Sequence, residues 1–175
     1  AEMGATTGLL TRYFPSRREL LHFTLSESGE ILNRHLQAAI AGLSGRAALR
    51  AAVQAALPLD EPRRSAWALW AVFLGLIAAD AGLAAIHDQF PQALRAVLIR
   101  SMREAQRDGQ LAPSLYPPQV ADGLLCQITG ASVRMLGDPA AKIEAVAAGA
   151  FAAILGHAAH NPSTDPAHAS AGAAS

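Results

Sequence analysis

Thr6, Thr7, Gly8, Thr11, Arg12 and Tyr13 crowd hydroxyls, a guanidinium and a bare stretch of backbone into a short run, and Arg17 follows closely. These are the groups with which proteins hold phosphate oxygens and reach base edges. To act together they must project from one short helix, and the local sequence specifies it. Thr6 can cap it, because its hydroxyl can accept from the orphan N–H groups of the opening turn. Gly4 suits the left-handed position that closes a preceding helix. Pro15 forbids continuation past Phe14, since it lacks an N–H and clashes with the previous turn. Ser16 and Glu19 then form the S-x-x-E capping box of a longer helix, while Leu9, Leu10 and Phe14 supply the inward face of the short one. Helix, Gly-containing turn, short helix is the grammar of a helix-turn-helix, whose second helix enters the major groove.

The run from Ala1 to Leu21 resembles the A-x-x-G-V-S-x-G-x-L-Y-x-[HY]-F-x-[ST]-K-E-x-L segment of TetR-family transcriptional regulators, without a gap. The resemblance implies DNA contacts from Thr7, Gly8, Thr11, Arg12 and Tyr13, with Thr6 capping the helix that presents them. It implies a further phosphate contact from Arg17, which opens the next helix. Thr11 stands where the family usually has an aromatic, so one backbone-anchoring ring is missing. The chain begins inside what would be the second helix of the head. The expectation is therefore a partial head (residues 1–20) that binds operator DNA only when the missing N-terminal helices are restored.

Composition bounds the remainder. The chain has 175 residues, 51% hydrophobic and 16% charged, which fits a packed globular protein rather than a disordered one. Its net charge is +0, so any nucleic-acid footprint must be local. A single cysteine, Cys126, rules out an internal disulfide framework and fits a cytoplasmic protein. The longest apolar run, Ala66 to Ala79, is short of the about 20 residues a membrane helix needs, so no membrane partner is expected.

Along residues 21–156 every periodicity is helical, which predicts an all-α, antiparallel bundle. Leu21, Leu25, Leu32, Leu36 and Ile40 mark one long helix from Ser16 to about Ala41, a natural link between head and body. Arg46 to Leu57 follows, stopped by Pro58. Asp60 caps a helix to Ala79 that is apolar all round and so belongs at the centre of a domain. Asp80 to His87 reads as a short helix or turn, separate from a long helix over Asp88 to Arg107. Arg95, Arg100, Arg103 and Arg107 form the outer face of that helix, read as solvated with local ion pairs rather than as a nucleic-acid stripe. Pro118 to Leu136 and Ala140 to Leu155 complete the set, and residues 157–175 read as a disordered tail.

Two roles fall to the body. Trp67, Trp70, Leu74, Phe90, Leu94 and Cys126 are the candidates for a ligand cavity, although aromatics at helical spacing equally fill core. Cys126, among Leu124, Leu125 and Ile128, reads as a small buried hydrophobe. The last two helices carry more apolar surface than the chain has left to cover. Leu124, Ile128, Met135, Ile143, Ala147, Ala150, Phe151 and Ile154 are therefore the candidate interface of a homodimer.

Leu57-Pro58-Leu59-Asp60-Glu61-Pro62-Arg63-Arg64-Ser65-Ala66-Trp67-Ala68-Leu69-Trp70 resembles the L-P-L-D-x-x-R-x-x-x-W-x-x-W region of TetR-family C-terminal domains grouped with the betaine-responsive BetI repressor. Gly109-Gln110-Leu111 and Leu136-Gly137-Asp138-Pro139 are similar to further landmarks of that group. The resemblance implies a homodimer through the last two helices and a cavity for a small-molecule effector in each body, without fixing the effector.

Catalytic alternatives find little support. The sequence has no P-loop, GxGxxG, HExxH or paired-cysteine motif, and no cofactor is expected. His157 and His160 alone fall short of a metal site. The expected function is a ligand-responsive regulator, a repressor released from a palindromic operator by a small molecule, and not an enzyme. The alternative is a dimeric helical binding module without DNA-binding activity.

Overall fold

The computed structural model describes Phe14, residues 16–138 and Gly149. Thr6, Thr7, Gly8, Thr11, Arg12 and Tyr13 lie outside the described residues, as do Ile143, Ala147, Ala150, Phe151, Ile154 and the tail. The described elements are α1 (Arg17–Ile40), α2 (Gly45–Ala56), α3 (Glu61–Ile77), α4 (Ala81–Arg107) and α5 (Pro117–Gly137), with no strand among the described residues. The fold is all-α.

Each helix begins and ends for an identifiable reason. The Ser16 hydroxyl accepts from the Glu19 N–H at 3.2 Å and opens α1. Asp60 does the same for α3, accepting from the Arg63 N–H at 3.0 Å. Asp80 opens α4 by accepting from the N–H groups of Gly82 and Leu83. The C-terminus of α4 closes with Gly109 at φ +68, the Gly109 N–H bonded to Gln106 O and the Gln110 N–H to Ala105 O. That is a Schellman closure, and it folds Leu111 back into the core. The Gln106 amide then donates to the carbonyls of Ala112 and Leu115, at 2.9 and 2.7 Å, and holds the α4–α5 loop against the helix end.

The start of α2 is capped from a distance. Ser44 makes no side-chain cap. Instead the Gly45 N–H donates to the Glu104 carboxylate at 3.1 Å and the Arg46 N–H to Gln110 Oε1 at 3.0 Å. A carboxylate at a helix N-terminus also suits the helix dipole. Gly45, at φ +55, lets the two helices approach this closely.

The centre of the fold is α4, which packs against all four of the other helices. Its Leu94, Leu98 and Met102 are fully enclosed, with Leu25, Leu32 and Leu36 of α1, Leu49 and Val53 of α2 and Leu124 of α5 in the same core. Here the structure departs from expectation. α3 was expected to be buried all round, yet Val72, Leu74 and Leu76 are 67%, 42% and 39% exposed. Only the side bearing Ala66, Trp67, Trp70 and Phe73 faces inward.

The expected division between Asp80–His87 and Asp88–Arg107 does not exist either, because α4 is one helix with Pro91 inside it. A proline there has no N–H for the carbonyl of residue 87. That carbonyl finds another donor, the Trp70 indole N–H at 3.3 Å. A tertiary contact thus replaces the missing helical bond.

Candidate functional site

Two regions matter for the function the sequence suggests: the end of α1 nearest the head, and the aromatic cluster of the body. Arg17 is the first residue of α1, exposed and immediately after the Ser16 cap. Phe14 lies against Phe23, nearly two turns into α1, with ring centroids 5.3 Å apart. Beside them Arg18 grips Asp80 with both arms of its fork, Nε to Oδ2 at 2.9 Å and Nη2 to Oδ1 at 3.1 Å. His22 approaches the same carboxylate at 3.5 Å, a distance for charge attraction rather than a good hydrogen bond. A Cβ on Gly82 would stand 2.7 Å from the His22 ring, so glycine permits the close approach. Asp80 therefore caps α4 and anchors α1 with one carboxylate.

The hydrogen bond from Arg18, with the two N–H groups it caps, pulls the Asp80 carboxyl down to about 2. A depressed carboxyl contributes stability that is complete above its unfolded value and disappears as pH falls through its folded one. Asp80 thus contributes across the neutral range and stops contributing between about pH 4 and pH 2. Denaturant titrations of the wild type and Asp80→Asn over that window are expected to converge at the acid end. A constant gap across the whole range would mean that the ionised carboxylate is not what holds the two helices.

In the body, Trp67 and Trp70 meet edge to face at 4.9 Å, and Phe90 stands against Trp67 at 6.4 Å. The His87 ring stacks on Trp70 at 3.9 Å and 21°. His87 is buried, and loss of solvent pushes its pKa down, favouring the neutral ring. Its Nε2 has no hydrogen-bond partner, and neither does the buried Ser132 hydroxyl of α5.

The L-P-L-D-x-x-R-x-x-x-W-x-x-W residues acquire roles here. The Arg63 guanidinium bridges Asp60 at 2.8 Å and donates to Gln54 O and Ala55 O, which end α2. That hydrogen bonding holds the Asp60 carboxyl below its usual range. The Trp67 indole donates to Ala56 O, the last carbonyl of α2, at 2.8 Å. A helix end leaves its last carbonyls short of partners; α3 supplies donors to all three, of which only Gln54 O also accepts from the Leu57 N–H. The motif is a joint: it fastens the end of α2 to α3, and through Trp70 it fastens α3 to the Pro91 turn of α4.

Of the six ligand candidates, Trp67, Trp70, Phe90 and Leu94 come together in the core. Both indole N–H groups are already committed to carbonyls. Leu74 lies at the surface, and so does Cys126, contrary to its expected burial. The buried stripe of α5 is Leu124, Ile128, Ala131 and Met135, and Cys126 points about 200° away from Leu124. Leu124, Ile128 and Met135 are enclosed within the single chain, so they have little surface to offer a partner. The exposed side of α5 carries Gly123, Cys126, Gly130 and Val133 instead. His87 was missed as a candidate. Its signal was the pairing of a lone histidine with a proline one turn later.

Among the described residues no cluster of histidine, cysteine and carboxylate side chains could hold a metal ion, and no helix is long and apolar enough to cross a membrane. No curated protein matches the chain. Residues 45–159, well over half its length, match the family of the BetI-type transcriptional repressor C-terminal domain. The joint, the central α4 and the helices α2, α3 and α5 packed against it lie within that span, and the chain belongs to the TetR family of transcriptional regulators, with a body of BetI type.

Proposed function

We propose that this chain, with residues 1–20 in the DNA-binding head and residues 21–156 as its body, belongs to a ligand-responsive repressor, which binds a palindromic operator as a homodimer and is released by a small molecule. The Asp80 anchor is the observation that carries this reading. It ties the first turns of α1, next to the head, to the first turn of α4. Less than two turns further along α4, His87 stacks on Trp70. A ligand that rearranges the Trp70–His87 region must shift the start of α4, and Arg18 and His22 move with it. For a tenfold loss of operator occupancy, the ligand needs about 1.4 kcal/mol of differential affinity for the released state.

The partner chain meets the outer side of α5, where Gly123, Cys126 and Gly130 permit close helix approach, together with Ile143, Ala147, Ala150, Phe151 and Ile154. Recognition of DNA falls to Thr6, Thr7, Gly8, Thr11, Arg12 and Tyr13, with Arg17 on a phosphate. A polar effector would hydrogen-bond to His87 Nε2 or to the Ser132 hydroxyl, two of the described buried groups that lack partners.

Operator binding tests the reading. The full-length protein is titrated against the DNA upstream of its own gene, at two stated salt concentrations. Sequence-selective binding is expected, and Arg17→Ala should weaken it about tenfold on every sequence while lowering the salt slope by about one. Binding no tighter than to random DNA would leave a dimeric helical binding module in place of a regulator.

A further inference from the structure

We propose that the outer face of α4 is a binding site for a small polyanion, a molecule carrying two or more phosphoryl or carboxylate groups. A groove of about 740 Å³ runs along this face, lined by Arg95, Arg100, Arg103 and Arg107 with Ala96 and Ile99 between them. That volume is within the range of small-molecule sites. The spacing puts four guanidinium groups on one side of a single helix over about three turns.

Their charges are only partly answered. Arg95 is committed to Asp122, with bonds of 2.6 and 3.2 Å. Arg100 reaches Glu104 only at 3.9 Å, and Glu104 is already the distant cap of α2. No described carboxylate lies within ion-pair distance of Arg103 or Arg107. Four positive groups face two carboxylates, so the groove is cationic in a chain whose net charge is +0.

The helix dipole accounts for Arg107, in the last turn of α4, but its influence fades within that turn and does not reach Arg95 or Arg100. A face that merely keeps the helix soluble would alternate its charges at four-residue spacing, whereas this one carries three further arginines for its single glutamate. Guanidinium forks bind phosphate and carboxylate oxygens through paired hydrogen bonds. The site stands apart from the aromatic cluster, since Phe90, Leu94 and Leu98 occupy the opposite, buried side of the same helix. It therefore does not depend on the operator-binding reading.

Calorimetric titration of the 175-residue chain with inorganic pyrophosphate and, separately, with citrate tests this at low and at physiological salt. One saturable site per chain is expected for at least one probe, weaker at the higher salt. Pyrophosphate alone would assign phosphoryl-bearing ligands and citrate alone carboxylates, and either supports the site. The double variant Arg103→Gln/Arg107→Gln is expected to bind at least about tenfold more weakly. Ala96→Glu, which removes no arginine but puts a carboxylate in the groove, should do the same while keeping its helical signal. Arg46→Gln/Arg50→Gln on α2 should leave binding unchanged. No saturable binding of either probe, or equal weakening by both arginine pairs, would overturn the proposal.

Discussion

Trp70→Ala is expected to destabilise the body by about 4–8 kcal/mol, the largest effect of the substitutions described. Truncating a buried tryptophan costs about 3–5 kcal/mol through lost contacts and the cavity left behind. The rest comes from the His87 carbonyl, which Pro91 cannot serve and which the Trp70 indole N–H now satisfies. An enclosed carbonyl left without a donor costs about 1–3 kcal/mol. The total is a large share of the about 5–15 kcal/mol that holds a typical domain together. Trp70→Phe separates the two contributions, because it keeps a ring in the core and removes only the donor and some bulk. Pro91→Ala restores a helical N–H to the same carbonyl, so the cost of Trp70→Phe should fall by about 1 kcal/mol in a Pro91→Ala background. Denaturant titration of the four proteins in that cycle gives the answer. If the two substitutions prove additive within about 0.5 kcal/mol, the indole is not replacing the helical bond and the single-helix α4 needs another explanation.

Gly45→Ala is the second large effect, about 2–3 kcal/mol. Part of it is backbone: φ is +55, and an L side chain in that region costs about 1–2 kcal/mol. The remainder is specific to the site, because the new Cβ would stand 2.7 Å from Gln110 Oε1. Gln110 must swing aside, and the Arg46 N–H then loses its acceptor, worth about 1 kcal/mol. Gly42 is the control. It has nearly the same conformation, φ +72, with nothing within 4 Å of the added carbon. Gly42→Ala should therefore cost about 1 kcal/mol less than Gly45→Ala, the difference being the displaced cap. In a Gln110→Ala background the two glycine substitutions should become equal. If they already match in the wild type, the cap from Gln110 contributes nothing to α2.

What could be read from the chain beforehand divides along the line between local and distant partners. The start of α1 at Ser16, the stop at Pro58 and the cap at Asp60 all stand where expected, because each depends on residues within one turn. The single α4 was not legible. Pro91 reads locally as a late start for a helix, and only Trp70, twenty-one residues earlier, makes the helix continuous. The cap on α2 is a similar case, since Glu104 and Gln110 arrive from the far end of another helix. For Cys126 the signal was available and misread: neighbours in sequence are not neighbours on a helix face, and stepping by 100° from Leu124 puts residue 126 outside the buried stripe. The motif around Trp67 and Trp70 pointed to the right part of the fold. Its residues hold the body together through carbonyls that no pattern of side chains reveals, while His87, outside the motif, retains an unused hydrogen-bonding atom.

The chain has two tryptophans, and both stand in that one cluster. Its tryptophan emission therefore originates at a single place. The stacked His87 lies close enough to Trp70 to act as a quencher, and it does so more strongly when protonated. Light from this protein is a direct record of whether α3 and α4 are still joined at the Pro91 turn, readable without any added label.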